Sequence, residues 1–382
     1  MAVVKLESGY NIGVDLGSCS CIERPSPLPI VRPEVIPDRN LPDLSIVSTG
    51  GTIASRIDYR TGSVTSQFDA GEILSAIPEL AKVANYRTRS ISTILSENMT
   101  TAIWQDLAQA VYEEIRSGAE GVIITHGTDT MAYSASALSF MLETPVPVVF
   151  IGSQRSADRP SSDNAMNAVC AAGTATSDLG EVAVVMHATT NDDCCAIHRG
   201  TRVRKMHTSR RDAFRSIGSP TLGTVSYPAV KVHLEPHAVR RGSRALALHE
   251  KLEDRCGLLQ FYPGMAPGIL IACKGYRGLV LSGTGLGHVS TGLIPSIRDL
   301  INGGTMVIMT SQCMHGRVCD RVYDTGRDLL NAGVIEGGDM LPEVALVKLM
   351  WVLGNEKDPD KAAALMQADL AGEWNRRSAH GL

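Results

Sequence analysis

The amino-acid sequence predicts an α/β protein whose two domains are built on parallel sheets. Short β-branched apolar segments recur from residue 44 onward, and segments with helical periodicity separate them. Strands that alternate with helices are typical of a parallel sheet with helices on both faces. The chain has 382 residues, which is enough for more than one domain of ordinary size.

The larger predicted domain covers residues 43–245, and a smaller α/β domain covers residues 265–382. Between them, after Ser219, the pattern is irregular and richer in glycine and charge. The predicted strands are 44–49, 90–95, 121–126, 146–153, 182–188, 278–283 and 305–311. The predicted helices are Thr101–Ser117, Met131–Leu142 and Asn164–Thr176, with further helices that begin at Ser290 and Pro342.

Two shorter segments precede these domains. Residues 1–21 contain a predicted β-hairpin, in which apolar and polar residues alternate around Ser8 and Gly9. Two strands alone are marginally stable in water, so the hairpin must pack on something else or be the remnant of a larger β module. Six prolines in residues 22–42 remove backbone donors and favour extended chain, which predicts a linker.

The composition indicates a globular protein without a strong nucleic-acid surface of its own. Hydrophobic residues make up 44% and charged residues 20% of the chain. A net charge of −4 gives no overall basic field. We find no apolar segment of the length that a signal peptide or a membrane span requires, and we expect a cytoplasmic protein. The nine cysteines have irregular spacing, which favours reduced, buried thiols over a disulfide framework.

Two predicted strands end in the same way, with a threonine in a glycine turn. Strand 44–49 runs into Gly50-Gly51-Thr52, and strand 121–126 runs into Gly127-Thr128-Asp129. Open α/β sheets keep their chemistry at the carboxyl edge, so both threonines could face one crevice. The alternative is that each threonine caps the helix or turn that follows it. Two threonines together with an aspartate favour a catalytic site.

A threonine hydroxyl needs a neighbouring base before it can react at neutral pH. A lysine can be that base where burial disfavours its ammonium form. Lys205, at the end of the basic segment 201–205, is the candidate. The alternative interpretation is a solvated basic surface, which is usual for a run of Lys and Arg.

Several segments carry a family resemblance. STGGTIAS (48–55), LSENM (95–99), THGTDTM (125–131) and the Lys205 segment occur in this order, and with them the sequence resembles the L-asparaginase family of amidohydrolases over about residues 43–382. The resemblance implies the asparaginase-like fold of two α/β domains. Further segments, among them RSADRPSSD (155–163) and TSQCMHGRV (310–318), are similar to a branch of that family that forms subunits of archaeal tRNA-dependent amidotransferases.

This resemblance implies that the chain hydrolyses glutamine and releases ammonia to a partner subunit, which amidates glutamate on a misacylated tRNA. It implies no cofactor and no metal on this chain, ATP and Mg on the partner subunit, tRNA bound only through the partner, and a homodimer within a heterotetramer. The alternative is a free-standing cytoplasmic L-asparaginase. The linker and the hairpin argue against it, because such an enzyme can begin directly at strand 44–49.

The resemblance also implies residue roles. Thr52 is the nucleophile that attacks the side-chain amide carbon, giving an acyl-enzyme and ammonia. Lys205 is the base, acting through Thr128. Asp129 takes the α-ammonium group of the substrate. A non-catalytic module with the same fold is disfavoured, because all four of these residues are present.

Three further residues are predicted to bind substrate. Ser96 and Glu97 match the positions that hold the α-carboxylate and the α-amino group, and Tyr59 matches the tyrosine of the mobile lid. Tyr59 could otherwise be an ordinary loop tyrosine. Glutamine and asparagine differ by one methylene, worth only about 1–3 kcal/mol in a pocket, so the sequence leaves the preference open.

The sequence departs from the branch in two places. The branch carries a fuller β-barrel ahead of the linker, so here the module is reduced or the start codon is placed too late. His288 matches the position where bacterial asparaginases offer an asparagine across a subunit interface, which allows a site completed by both chains of a dimer. The ammonia route and the partner interface are not visible in the sequence.

Three other motifs are weak. Residues 283–287 read GxGxG and not GxGxxG, so we do not expect a nucleotide site. The group His187, Cys194, Cys195 and His198 lacks a CxxC pair, which favours buried thiols and surface imidazoles over a metal site. The basic stretch His198–Arg215 could touch tRNA phosphates, but we expect a solvated or partner-facing surface from which only Lys205 turns inward.

Overall fold

A computed structural model describes residues 2–5, 11–18, 20, 38–50, 55–58, 63–66, 77–156 and 161–377. Within these ranges the strands are β1 Ala2–Lys5, β2 Asn11–Val14, β3 Asp43–Gly50, β4 Ser55–Asp58, β5 Ser63–Ser66, β6 Asn85–Ile94, β7 Gly121–Thr125, β8 Leu142–Glu143, β9 Val148–Ile151, β10 Val182–His187, β11 Cys194–Arg199, β12 Val203–Lys205, β13 Phe214–Ser216, β14 Gly223–Ser226, β15 Lys231–Leu234, β16 Ala247–Leu248, β17 Cys256–Gln260, β18 Gly278–Gly283, β19 Met306–Ser311 and β20 Ile335–Glu336. The α-helices are α1 Thr101–Arg116, α2 Met131–Met141, α3 Asn164–Ala175, α4 Pro267–Ile271, α5 Ile294–Asn302, α6 Asp324–Asn331, α7 Pro342–Asn355 and α8 Pro359–Met366.

The larger sheet has the strand order β15-β14-β11-β10-β9-β7-β3-β6. Its strands β6, β3, β7, β9 and β10 are parallel, as the alternation of strands and helices predicts. All five residues of β7 are buried, because helices cover both faces of the sheet. Helices α1 and α2 pack in one hydrophobic cluster, and α3 packs in the cluster on the opposite face.

The other end of this sheet is antiparallel, which the sequence analysis did not predict. Strand β11 runs antiparallel to β10, and β14 and β15 continue the antiparallel pairing to the edge. The stretch after Ser219 looked irregular because β15 lies at the edge, where its residues alternate between exposed and half-buried. An edge strand needs few apolar residues, so its hydrophobic pattern is weak.

The smaller sheet has the order β17-β18-β19-β20, and all its pairs are parallel. Strand β17 begins at Cys256, ahead of residue 265, so we place the start of the second unit at this strand and keep the other domain boundaries as predictions. Helix α7 joins the two units, because its buried residues Val344, Val347 and Leu349 share one hydrophobic cluster with α2.

Near the start of the chain, β1 and β2 pair antiparallel with Ala2 opposite Val14, which confirms the predicted hairpin. Most of the predicted linker 22–42, namely residues 22–37, lies outside the described residues. Among the described helices, none combines the length and hydrophobicity that a membrane span requires.

Candidate active site

The two threonine segments follow neighbouring strands at one edge of the larger sheet. Strands β3 and β7 pair in parallel with Ser48 opposite Thr125, so their carboxyl ends meet. Hydroxyl groups link these ends: Thr49 Oγ1 donates to the Thr125 carbonyl at 3.0 Å, and Thr125 Oγ1 donates to Ser48 Oγ at 3.0 Å. The strand that leads to Thr52 is therefore fixed against the strand that leads to Thr128.

Two predicted site residues lie outside the described residues. Strand β3 ends at Gly50, which has φ 104°, and Thr52 follows it in the undescribed range 51–54. Strands β4 and β5 pair antiparallel with Asp58 opposite Ser63, and Tyr59 lies in the undescribed range 59–62 between them. The roles of Thr52 and Tyr59 stay predictions.

The structure brings Lys205 onto the segment that follows β7. Lys205 Nζ donates to Thr128 Oγ1 at 2.9 Å and to Asp129 Oδ1 at 2.7 Å. The lysine side chain is 13% exposed, whereas the Asp129 side chain is 69% exposed. Lys205 is therefore not part of a solvated basic surface. Nor is Thr128 the cap of the helix that follows, because the residue at the N-cap of α2 is Thr130.

This arrangement can transfer a proton. At 2.9 Å the Thr128 hydroxyl and the Lys205 amino group are within direct hydrogen-bond reach, so a proton can pass between them without an intervening water. The exposed carboxylate of Asp129 can accept hydrogen bonds from a ligand ammonium group in addition to the one from Lys205. The site therefore combines a threonine and a lysine in direct hydrogen-bond contact with an accessible carboxylate that can bind a cation.

The predicted substrate-binding loop lies directly against this segment. Ser96 is 5% exposed and begins the short 3₁₀ turn Ser96–Asn98, in which Glu97 is exposed. Thr130 Oγ1 donates to the Ser96 carbonyl at 2.7 Å. The approach requires a glycine at position 127, because a Cβ there would lie 2.6 Å from Ser96 Cβ. Ser96 and Glu97 thus lie beside Thr128, and their binding roles stay predictions.

His126 has a structural role that was not predicted from the sequence. It is fully buried, and burial lowers its pKa to about 4, so the ring is neutral. Its Nδ1 lies 2.7 Å from the Gly127 carbonyl, and its Nε2 lies 2.8 Å from Ser134 Oγ, which also accepts from Trp104 Nε1 at 2.8 Å. Because only Nδ1–H can donate to the carbonyl, Ser134 donates to Nε2. This chain of hydrogen bonds fixes the glycine turn ahead of Thr128.

The basic stretch His198–Arg215 is solvated only in part: residues 206–210 and Arg215 are exposed, as expected, but Lys205 is not the single exception. More residues than Lys205 turn inward: Arg202 is 1% exposed, and the side chain of Arg199 is 13% exposed. All of its lysines and arginines form ion pairs within the chain. These pairs are Arg199–Glu181, Arg202–Asp339, Arg204–Glu343, Lys205–Asp129, Arg210–Asp212, Arg211–Asp192 and Arg215–Asp212. Arg210 and Arg215 share Asp212, so each cationic side chain of the stretch has a carboxylate partner within the chain.

The histidines near Cys194 and Cys195 are buried and not at the surface, contrary to expectation. His187 Nδ1 lies 2.6 Å from Asn167 Oδ1, and His198 Nδ1 lies 2.8 Å from Ser216 Oγ. Both imidazoles have lowered pKa values, chiefly because of burial. Within the described ranges no three His, Cys, Asp or Glu side chains come together as metal ligands, and the described cysteines are free thiols.

The GxGxG segment forms a tight turn at the end of β18. Thr284 N donates to the His288 carbonyl at 2.9 Å, and His288 N donates back to the Thr284 carbonyl at 3.0 Å. A dinucleotide-binding turn instead opens directly into a helix. His288 packs edge-on against Tyr323, with ring centroids 5.3 Å apart, and its ring nitrogens have no partner among the described residues.

Comparison with family models covers most of the chain. Residues 43–238 match the model "Asparaginase, N-terminal", and residues 255–366 match the model "Glutaminase/Asparaginase C-terminal domain". The chain belongs to the asparaginase family. The fold inferred from STGGTIAS and THGTDTM is thereby confirmed.

Within the asparaginase family, many relatives share one name, the D subunit of glutamyl-tRNA(Gln) amidotransferase. The relative of that name from Methanosarcina acetivorans is 55% identical, over 97% of this chain and 91% of that protein. The relative of the same name from Halobacterium salinarum is 55% identical, over 98% of this chain and 92% of that protein. The chain is thus a member of this amidotransferase branch of the family, as the resemblance predicts.

Solved structures of the asparaginase family have the same fold. The thermostable L-asparaginase from Thermococcus kodakarensis has a TM-score of 0.77 at 33% identity, over 87% of this chain and 99% of that one. L-asparaginase I from Vibrio cholerae has a TM-score of 0.75 at 27% identity, over 88% of this chain and 99% of that one.

Proposed function

We propose that this chain is the glutaminase subunit of a tRNA-dependent amidotransferase. It hydrolyses glutamine and supplies the ammonia with which a partner subunit converts Glu-tRNA(Gln) to Gln-tRNA(Gln). The complex as a whole is then a carbon–nitrogen ligase with glutamine as the nitrogen donor. The hydrogen bond from Lys205 to Thr128 carries the proposal, in a chain whose relatives at about 55% identity are named as amidotransferase subunits.

The proposed reaction proceeds through an acyl-enzyme. The Thr52 hydroxyl oxygen forms a bond to the side-chain amide carbon of glutamine, the carbon–nitrogen bond breaks, and the leaving nitrogen takes a proton and departs as ammonia. Water then cleaves the ester, which returns the Thr52 hydroxyl and releases glutamate. Lys205 removes and returns protons through Thr128, which its 2.9 Å hydrogen bond supports.

The proposed substrate contacts use the residues around this pair. Asp129 takes the α-ammonium group, and its exposure and charge support that role. Ser96 and Glu97, beside the Thr128 turn, hold the α-carboxylate and the α-amino group. Tyr59 belongs to a lid that closes over the bound substrate and excludes water.

The cofactors, the partner and the assembly that we propose are those expected for the amidotransferase branch of the family. This chain carries no cofactor of its own, and the partner subunit uses ATP and Mg²⁺ and binds the tRNA. The ion pairing throughout His198–Arg215 supports a tRNA contact made through the partner and not through this chain. We further propose a homodimer within a heterotetramer, located in the cytoplasm.

A second candidate function is a free-standing L-asparaginase. It is favoured by one observation: the similar solved structures from Thermococcus kodakarensis and Vibrio cholerae are L-asparaginases, and the match spans 99% of each. Such an enzyme needs no partner and prefers the shorter amide. The two functions therefore differ in substrate and in dependence on a second protein.

Steady-state ammonia release by the purified chain, from glutamine and from asparagine, separates them. We expect slow release alone and faster release from glutamine when the partner subunit and Glu-tRNA(Gln) are added. Thr52→Ala should abolish release in every condition, and Thr224→Ala, at an exposed threonine of β14, is the matched control. Rapid asparagine hydrolysis without a partner would support the asparaginase instead, and full activity of Thr52→Ala would refute the nucleophile.

A further inference from the structure

The strand that carries Lys205 is tied to a distant part of the chain. Strand β12 has only three residues, and the two residues before it reach the segment 369–375 near the end of the chain. Arg202 Nε donates to the Gly372 carbonyl at 2.9 Å, and Thr201 Oγ1 donates to the Ala371 carbonyl at 2.9 Å. Thr201 and Arg202 are each 1% exposed. These contacts are therefore shielded from water, where hydrogen bonds are most costly to break.

A closed ring of contacts holds the Arg202 guanidinium. Its Nη1 donates to the Asp339 carbonyl at 3.1 Å, and its Nη2 lies 3.2 Å from Asp339 Oδ2 as an ion pair. Asn375 donates to the Asp339 carboxylate from its backbone N at 2.9 Å and from Nδ2 at 2.7 Å. Asn375 Nδ2 also donates to the Gly218 carbonyl at 2.8 Å, next to Ile217, whose N donates to the Arg202 carbonyl.

The segment 369–375 is itself held in place. Lys348 of α7 and Glu373 are both fully buried and lie 2.6 Å apart. Glu373 accepts hydrogen bonds from the backbone N of Leu370 at 3.0 Å and of Ala371 at 2.7 Å. Gly372 has φ 79°, and a Cβ on it would lie 2.5 Å from Arg199 Cδ. The two carbonyls that meet Thr201 and Arg202 are thus presented by a fixed backbone.

Arg204, the strand residue next to Lys205, also forms an ion pair with helix α7. Arg204 Nε lies 3.4 Å from Glu343 Oε1, and Glu343 stands in the first turn of α7. Among the described strands, β12 pairs with β13 alone, and Lys205 is opposite Phe214. A three-residue strand makes few backbone hydrogen bonds of its own, so the side chains of Thr201, Arg202 and Arg204 contribute much of what fixes its position.

We infer that Thr201 and Arg202 are positioning residues for Lys205, and that they hold its amino group at Thr128 by anchoring β12 to residues 371, 372 and 339. This inference rests on the proposed role of Lys205 as the base. Among the described contacts, no hydrogen bond or ion pair joins either residue to Thr128 or Asp129. A misplacement of about 1 Å at a catalytic group can cost about 10²-fold in rate, so loosening the anchor lowers kcat without removing any reacting group.

The test compares variants of the full chain, assayed for glutamine hydrolysis in the assembly in which it is active. Thr201→Val removes only the hydroxyl at nearly constant volume, and Thr201→Ser retains it. Arg202→Met removes the guanidinium. Leu329→Ala, a fully buried core residue of α6, is a control that lowers the melting temperature through packing alone. We expect Thr201→Val and Arg202→Met to lower kcat about tenfold or more with a smaller change in KM, whereas Thr201→Ser and Leu329→Ala keep kcat within about twofold.

The outcomes separate a positioning role of Thr201 and Arg202 from general destabilisation of the fold. Equal kcat for Thr201→Val and Thr201→Ser would overturn the inference, and this pair decides even if Arg202→Met does not fold. A loss in Leu329→Ala as large as in Thr201→Val would also overturn it, because general destabilisation would then explain both. Lys205→Met serves as the reference variant. If Lys205→Met stays active, the proposed function fails. If Lys205→Met is inactive but the Thr201 and Arg202 variants keep full activity, only the inference about Thr201 and Arg202 fails.

Discussion

Lys205 Nζ donates a hydrogen bond to Thr128 Oγ1 over 2.9 Å, although 77 residues separate the two in sequence. Thr128 follows the buried central strand β7, and Lys205 ends a short strand that the second unit anchors. The proposed chemistry depends on this contact, because a threonine next to a lysine can exchange a proton with it.

Lys205→Met should remove activity and leave the fold intact. General base catalysis contributes about 10²–10⁴-fold, so we expect hydrolysis to fall by about 10²-fold or more. The lost ion pair is with Asp129, which is 69% exposed, so its removal should cost about 1 kcal/mol or less. Steady-state ammonia release and a circular-dichroism melt measure the two effects. Lys231→Met, at an exposed lysine of β15, is the control, and loss of the cooperative melt in Lys205→Met would mean that the lysine is structural.

Gly127→Ala should push the predicted substrate-binding turn Ser96–Asn98 away from the turn that precedes Thr128. The new Cβ would lie 2.6 Å from Ser96 Cβ and 2.8 Å from Ser96 Oγ, so the two segments must move apart. Overpacking of this kind costs about 1–3 kcal/mol, and we expect KM for glutamine to rise because Ser96 is displaced. Gly268→Ala in α4 is the control, since nothing lies within 4 Å of its added Cβ. An unchanged KM in Gly127→Ala would show that the Ser96 loop does not bind substrate.

Ser134→Ala should destabilise the protein by about 1–3 kcal/mol, because two buried groups lose their partner. These groups are Trp104 Nε1 and His126 Nε2, each 2.8 Å from Ser134 Oγ. Urea unfolding measures the change. Ser139→Ala in the same helix is the control, since among the described residues its hydroxyl bonds to the Ala135 carbonyl one turn earlier and to no other group. Equal stability of the two variants would mean that the His126 network contributes nothing.

Acidification should destabilise the fold through two buried histidines. Burial lowers the pKa of His126 to about 4 and of His198 to about 3, whereas both titrate near 6.5 when unfolded. Below pH 6.5 the unfolded chain therefore binds more protons than the native chain, and their stabilising contribution is lost as pH falls from about 6.5 towards 4. Over that pH range each histidine can contribute up to about 3 kcal/mol to this dependence.

His198→Asn isolates one of these contributions, since asparagine can still bond to Ser216. We expect the free energy of unfolding of wild type to fall more than that of His198→Asn between pH 7 and pH 5, measured in urea. The pKa of Asp320, raised to about 7 by burial and by Glu336, acts in the opposite direction. It is common to both proteins and cancels in the comparison. Parallel pH dependences would show that His198 is not buried in the neutral form.

The sequence predicted the elements whose pattern is local. Strand β7 is buried on both faces and therefore reads as an uninterrupted apolar segment, and the polar residues that follow it stand out. Thr128 and Asp129 were found in this way. Lys205 lies in a run of basic residues, so its position made it a candidate base but left a solvated surface as the alternative, and the family resemblance favoured the base.

The remaining features depend on contacts between distant residues, which a single sequence does not display. Arg202 donates to Asp339 and Gly372, which are 137 and 170 residues away, and nothing in a run of arginines distinguishes the buried one. His126 is bonded through Ser134 to a tryptophan of another helix. The imidazole inside THGTDT was a visible signal for this network, because a polar ring directly after a buried strand needs hydrogen-bond partners.

In the proposed function, ammonia made at this site ends on tRNA-bound glutamate. The most direct measurement supplies glutamine labelled with ¹⁵N in its side-chain amide to the chain, the partner subunit, ATP, Mg²⁺ and Glu-tRNA(Gln), and then analyses the amino acid released from the tRNA by mass spectrometry. We predict ¹⁵N in the side-chain amide of that glutamine, and none when the chain carries Thr52→Ala. Unlabelled tRNA-bound glutamate, with label released only as free ammonium, would show that this ammonia is not transferred to the tRNA.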